Sequence, residues 1–201
     1  MSYATLAEFK SAIGIGTADT TDDTALQSVL DATDALIDNY TDRPAGFGTA
    51  SQTRYYTAQD FSYVLTDDLV SVSSLTTDDN GDGTYETTWT ANTDYVFAPA
   101  NNALDGWPYT SIEVSVTWPK NFPKNVYRGV KVIGVFGWPA VPSAVKQAAI
   151  IQAGAVWSSR TSPFGVIGSQ DLGGILRQAS ALHPESRILL EQYRTRADLA
   201  R

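Results

Sequence analysis

Between residues 3 and 13, Tyr3, Leu6, Phe9 and Ile13 recur at three- to four-residue spacing with Lys10 inside the pattern, and Gly14 and Gly16 end it. This predicts a short helix. A stronger stripe follows, made of Leu26, Val29, Leu30, Leu36, Ile37 and Tyr40. Asp22 or Asp23 stands where an N-terminal cap belongs, and Asp31, Asp34 and Asp38 are expected to face away from the stripe. Pro44 disfavours helical geometry at Arg43, so the second helix is expected to stop there, with Gly46 and Gly48 beyond it.

From Gln52 to about Pro139 the period changes to two. The segments 54–57, 63–65, 69–75, 85–89, 95–97, 112–118 and 130–136 are rich in β-branched and aromatic residues and are bounded by Asp, Asn, Gly and Pro. They predict six or seven strands. Ile112, Val114, Val116 and Trp118 alternate with Glu113, Ser115 and Thr117, as in a sheet with one wet face.

Pro142 suits a first helical position, and residues 145–157 form a helical stretch apolar nearly all the way round. Such a helix needs cover on several sides, and a neighbouring copy of the chain is one source of it. Val145, Ile150, Ile151, Val156 and Trp157 are therefore the candidate residues of an interface between copies. Residues 161–174 read as a Gly/Pro/Ser loop. A last helix is expected from Pro184 to about Leu199, with a narrow stripe of Ile188, Leu189 and Tyr193 among Arg187, Arg194 and Arg196. The pattern predicts an α+β fold in which N- and C-terminal helices form a small helical core around a central antiparallel β insertion. The expected boundaries are 1–51, 52–140 and 141–201.

Composition narrows the chemistry. Hydrophobic residues are 43% and charged residues 18% of 201, which excludes an intrinsically disordered chain, and no apolar run reaches the roughly 20 residues of a membrane span. The N-terminal stretch has no basic region and is not expected to be a signal peptide. Without cysteine and with one histidine, disulfides, thiolate nucleophiles and His/Cys metal clusters fall away. The net charge is −8, unevenly spread: residues 1–118 hold 18 acids against 3 bases, and residues 119–201 hold 4 against 11. Opposite charges on the two parts suit contacts between copies or with a partner.

Asp78-Asp79-Asn80-Gly81-Asp82-Gly83 resembles the start of a calcium loop, but the twelfth position is Trp89 where an acid belongs, and strands flank the segment. A hairpin turn is the simpler expectation, and no metal or other cofactor is expected. His183 precedes Pro184 without a nucleophile elbow anywhere in the chain, so a structural role near a helix cap is expected. The adjacent pairs Asp22-Asp23 and Asp67-Asp68 read as cap and turn residues. No catalytic constellation is present, and the chain is not expected to be an enzyme. Trp107-Pro108, Trp118-Pro119 and Trp138-Pro139 could form an exposed aromatic platform or pack as turns, and any of the three could be cis.

Several stretches together resemble one family: residues 6–13; Asn39-Tyr40-Thr41-Asp42-Arg43-Pro44; residues 78–86; Leu104-Asp105-Gly106-Trp107-Pro108; Gly134-Val135-Phe136-Gly137-Trp138-Pro139-Ala140-Val141-Pro142 with the helix after it; residues 157–168; and residues 183–194. The chain resembles the head-to-tail connector, or adaptor, proteins of tailed bacteriophages over nearly its whole length. The resemblance implies a non-enzymatic virion protein of the neck, made in the bacterial host cytoplasm. Its copies, usually about a dozen, form a ring under the portal protein. That ring extends the DNA channel and receives a stopper or tail-completion protein, while DNA passes without specific binding. It also implies a C-terminal region that engages the portal, here Arg187, Ile188, Leu189, Tyr193 and Arg194. The rival readings are a stopper or tail-completion protein of the same neck and, from another class, a carbohydrate-binding β module.

Overall fold

A computed structural model describes residues 2–43, 45–115, 120–160 and 182–194. The chain is α+β and divides into a helical unit, residues 1–46 with 141–195, and a β unit built on residues 47–140.

The helical unit contains α1 (Leu6–Ala12), α2 (Asp23–Thr41), α3 (Ser143–Ser159) and α4 (Pro184–Glu191). Helix α1 begins with a capping box: the Thr5 hydroxyl accepts from Glu8 N–H at 3.2 Å, and Glu8 Oε2 accepts from Thr5 N–H at 2.8 Å. These bonds satisfy donors that a helix start leaves open. Lys146 on α3 reaches the other oxygen of Glu8 at 2.7 Å. That pairing, followed by the Thr5 bonds, lowers the Glu8 pKa to about 2. Phe9, Leu26, Leu30 and Ala153 form the buried centre, with Ile13, Val29, Ile150 and Trp157 packed around it. A fully buried Phe or Leu here contributes about 1.5–3 kcal/mol.

Lys10 lies inside the apolar pattern and is 2% exposed. Its ammonium donates to Asp23 Oδ1 at 2.7 Å, to the Thr17 carbonyl at 3.3 Å and to the Asp19 carbonyl. All three of its protons are thereby satisfied, which is the condition for burying an ammonium.

Four sequence expectations change in this unit. Asp22 occupies the N-cap of α2 without a side-chain capping bond, because Asp23 is held by Lys10 and Asp22 lies 3.8 Å from Arg160. The helix ends at Thr41, where Asp42 turns left-handed at φ +54° and Arg43 N–H returns to Asp38 O at 2.9 Å; Pro44 lies outside the described residues. Asp34 does not face solvent, because the N-terminal segment crosses α2 there and covers it. Pro142 is the N-cap of α3 rather than its first helical residue.

The β unit is an antiparallel sheet in the order β1-β6-β2-β5-β4, with β3 added to β2. Its strands are β1 (Thr49–Tyr56), β2 (Tyr63–Thr77), β3 (Thr87–Trp89), β4 (Tyr95–Ala98), β5 (Tyr109–Val114) and β6 (Val130–Gly137). Inward residues of β6 (Val130, Val132, Phe136) meet Leu69, Leu75 and Ile112, and Trp89 stacks on Phe122 at 4.5 Å. Gly137, at φ +116°, closes this core where the chain is tightest, since a Cβ there would strike the Gly48 carbonyl.

The segments 63–65 and 69–75 are one strand, not two. Thr66-Asp67-Asp68 forms an irregularity where the register on β5 shifts, and the acids are tolerated because each has a partner. Asp67 pairs with Arg54 at 2.5 Å and accepts from the Tyr56 hydroxyl at 3.1 Å, and Asp68 accepts from Trp138 Nε1 at 3.0 Å. A bulge of this kind re-aims side chains without ending the strand.

Candidate functional site

Helix α3 turns Val145, Ala148, Ala149, Gln152 and Ala153 fully inward. Val145 is 0% exposed, so it is core of its own chain and does not belong to a surface for another copy. Ile150 and Trp157 pack against the same helical core. Ile150, Ile151 and Trp157 remain half-buried and Val156 exposed, which leaves four of the five candidates with apolar surface still to cover.

Helix α4 is seated on α3. The Ser186 hydroxyl donates to Ala148 O at 3.0 Å, and His183 N–H donates to Gln152 Oε1 at 2.6 Å. The His183 ring supplies the N-cap acceptor for Glu185 N–H at 3.4 Å, a structural role. Leu190, absent from the predicted stripe, is fully buried, and Tyr193 is 8% exposed. Tyr193 therefore packs into its own unit instead of offering an anchor, and its carbonyl accepts from Arg43 Nε at 3.0 Å. Burial of that guanidinium lowers its pKa to about 10.

Ile188 is the prominent exposed residue, at 76%, with Arg187 and Arg194 exposed and Leu189 half-buried beside it. Glu191 accepts from the Tyr40 hydroxyl at 2.6 Å and from Arg194 at 3.3 Å. The Tyr40 bond is the main reason its carboxyl titrates below the ordinary range. The helix ends at Glu191, well before Leu199. Arg196, and the loop expected over residues 161–174, lie outside the described residues.

The 78–86 segment joins β2 to β3, as a hairpin connection does. Asp78 accepts from Gly81 N–H at 2.7 Å and Gly83 N–H at 2.8 Å. Carboxylate oxygens of Asp78, Asp82 and Glu86 come within 4.8 Å of one another. The amide of Asn80 donates to both Asp82, at 3.1 Å, and Glu86, at 3.3 Å. A neutral side-chain donor thus bridges two of the three acids.

The aromatic-proline pairs do not form a platform where they are described. Trp138 is 2% exposed and lies 4.8 Å from Trp107 and 5.2 Å from Phe47, ring to ring. Among the described residues the cis peptide bond is at Ala98-Pro99 and not at Trp107-Pro108 or Trp138-Pro139; Trp118-Pro119 lies outside them.

A grouping that the sequence did not reveal occupies the β unit. Arg128 stands over the Tyr55 ring at 4.3 Å and Lys131 over the Tyr85 ring at 5.4 Å, and the two rings are 5.8 Å apart. Lys131 is the cross-strand partner of Tyr55. The pairing of β1 with β6 brings Tyr55 to Lys131 and the segment joining β2 to β3 adds Tyr85, so hydropathy along the chain carries no signal for the grouping.

Among the described residues, no helix is long and apolar enough to cross a membrane. Comparison with protein-family models gives no match, and comparison with curated proteins gives none. Similar solved structures include two of gene transfer agent particles. One is described as the virion of a native gene transfer agent particle, at 20% identity over 94% of this chain and 88% of that one, with a TM-score of 0.47. The other is the neck of an empty gene transfer agent particle computed with C6 symmetry, at 22% identity over the same shares, with a TM-score of 0.54. The helical unit with its β insertion is therefore a fold that this chain shares, nearly end to end, with a chain of a particle neck.

Proposed function

We infer that this chain is a non-enzymatic structural protein of the neck of a tailed phage or phage-like particle. In that reading it is a head-to-tail adaptor: copies form a ring beneath the portal protein, extend the DNA channel and receive a stopper or tail-completion protein. The observation that carries the reading is the near end-to-end match to a neck chain, in a protein whose sequence resembles connector proteins along the same length. A net charge of −8 suits a channel through which DNA slides, since retention on phosphates requires Lys or Arg contacts.

Ile150, Ile151, Val156 and Trp157 remain candidates for contact between copies, and Arg187, Ile188, Leu189 and Arg194 for contact with the portal. The test is a native mass measurement of the chain alone and mixed with portal rings from the same particle. A closed multimer that adds to the portal is expected. A chain that stays monomeric at every concentration and ignores the portal overturns the reading.

A further inference from the structure

In the β unit, Arg54 and Lys120 are ion-paired, with Asp67 at 2.5 Å and Asp94 at 2.6 Å. Arg128 and Lys131 have no carboxylate within 4.0 Å among the described residues, although the chain carries 22 acids against 14 bases. Each lies over a tyrosine ring, which orders a long side chain without neutralising it.

The backbone that presents them is held firmly. Arg128 has φ +56°, a left-handed conformation that a long side chain adopts only where the surroundings impose it. Its N–H donates to Thr57 Oγ1 at 2.9 Å, and its carbonyl accepts from the Tyr85 hydroxyl at 2.8 Å. The neighbouring Tyr127 is 83% exposed. The result is a rigid knob: one projecting aromatic ring beside two ordered, unneutralised cations. Such a surface fits a polar groove that offers an unpaired carboxylate, because the side-chain ordering that binding requires has already occurred.

The helical unit carries a shallow, mostly polar groove with one carboxylate outside any ion pair among the described residues. Leu6, Asp23, Thr24, Gln27, Ser28 and Asp31 line an open groove along α1 and α2. Asp23 is held by Lys10, whereas Asp31 faces no cation within 4.0 Å among the described residues and accepts from the Gln27 amide at 2.9 Å. We propose that the Tyr127-Arg128-Lys131 knob docks into the α1/α2 groove of a second copy of this chain. Knob and groove are different surfaces, so the contact is heterologous and repeats from copy to copy, as a ring requires. The proposal rests on the ring reading above and names the surfaces that would build it. A nucleic acid is the less favoured occupant. The loop that supplies Tyr85 also carries Asp78, Asp79, Asp82 and Glu86, which a polyanion running past would meet, whereas a single carboxylate in a groove need meet only the cations.

The test uses the full chain and native mass measurement, with circular dichroism to check that each variant folds. Wild type is expected to assemble, and R128E/K131E and Asp31→Arg are each expected to lose the assembly, with association at least tenfold weaker. Tyr127→Ala, at a highly exposed position that leaves the fold intact, should weaken assembly too. Mixing R128E/K131E with Asp31→Arg should restore it, because each altered knob then meets a groove of opposite charge and each native knob meets a native groove. Wild type that never assembles sinks the ring reading itself. Wild type and R128E/K131E assembling equally overturns this inference alone, as does failure of the mixture to recover. A variant that assembles normally but loses binding to duplex DNA would reassign the knob to nucleic acid and overturn the proposal.

Discussion

Tyr3 donates its phenolic proton to Asp38 on α2, and its main-chain N–H points at Asp34 Oδ1, one turn earlier, at 3.4 Å. One residue of the N-terminal segment thus engages two acids on the same helix face. Gly46 passes so close that a Cβ there would lie 2.5 Å from the Tyr3 oxygen. Desolvation raises the pKa of Asp34 to about 6 and moves Asp38 in the same direction.

The folded protein therefore keeps a proton on Asp34 to a higher pH than the unfolded chain, whose carboxyl titrates near 3.8. Between those values the folded state binds more protons, so this group's contribution to stability is complete below about pH 4 and is lost as the pH rises through 6. Asp34→Asn mimics the protonated form. It should stabilise the protein at pH 7.5 by on the order of 1 kcal/mol after solvent screening, a melting shift of roughly 2–4 °C. The difference from wild type should vanish by pH 4. An offset that stays constant across this range would show that Asp34 is not titrating there.

Leu190 and Ile188 stand two residues apart on α4, one 0% and the other 76% exposed. Leu190→Ala should cost about 2–5 kcal/mol in urea unfolding, because it leaves a cavity between α4 and the rest of its unit. Ile188→Ala should change stability by less than about 0.5 kcal/mol. Equal effects would mean that α4 is not seated as described. For the same reason, removal of residues 184–194 should destabilise the helical unit rather than release a free docking arm.

Asp78 spends both carboxylate oxygens on Gly81 and Gly83. Asp78→Ala should cost about 1.5–3 kcal/mol through these lost bonds to a charged acceptor. Chelation should leave the wild-type melting temperature unchanged. A rise of several degrees when calcium is added to chelated protein would instead establish a bound ion, since a ligand specific to the native state stabilises by mass action.

The regular elements were legible where burial follows chain periodicity. The stripe of Leu26, Leu30 and Ile37, the alternation of β6 and the apolar stretch of α3 all lie near the residues predicted. What escaped was set by partners distant in sequence. Asp67 and Asp68 read as a break because their partners, Arg54, Tyr56 and Trp138, were invisible to local pattern. The pattern leaves Val145 and Tyr193 as available surface, since an apolar side chain does not reveal whether its own chain or another covers it. Lys10 sits inside an apolar pattern that gives no sign of its three oxygen partners, which help fix the turn into α2. The Tyr55, Tyr85, Arg128 and Lys131 grouping required the β1/β6 register.

That register has a thermodynamic consequence for the helical unit. Thr49 at the start of β1 pairs with Gly137 at the end of β6, so the first and last strands of the insertion are clamped side by side. To the helices, a folded insertion is equivalent to a short loop, while an unfolded one is a tether of roughly 90 residues whose closure costs about 3 kcal/mol more in chain entropy. Folding of the sheet thus favours the meeting of α2 with α3 even without a direct contact. Replacing residues 49–137 by a short glycine-rich turn should preserve that entropic advantage, leaving the four helices able to fold without the sheet.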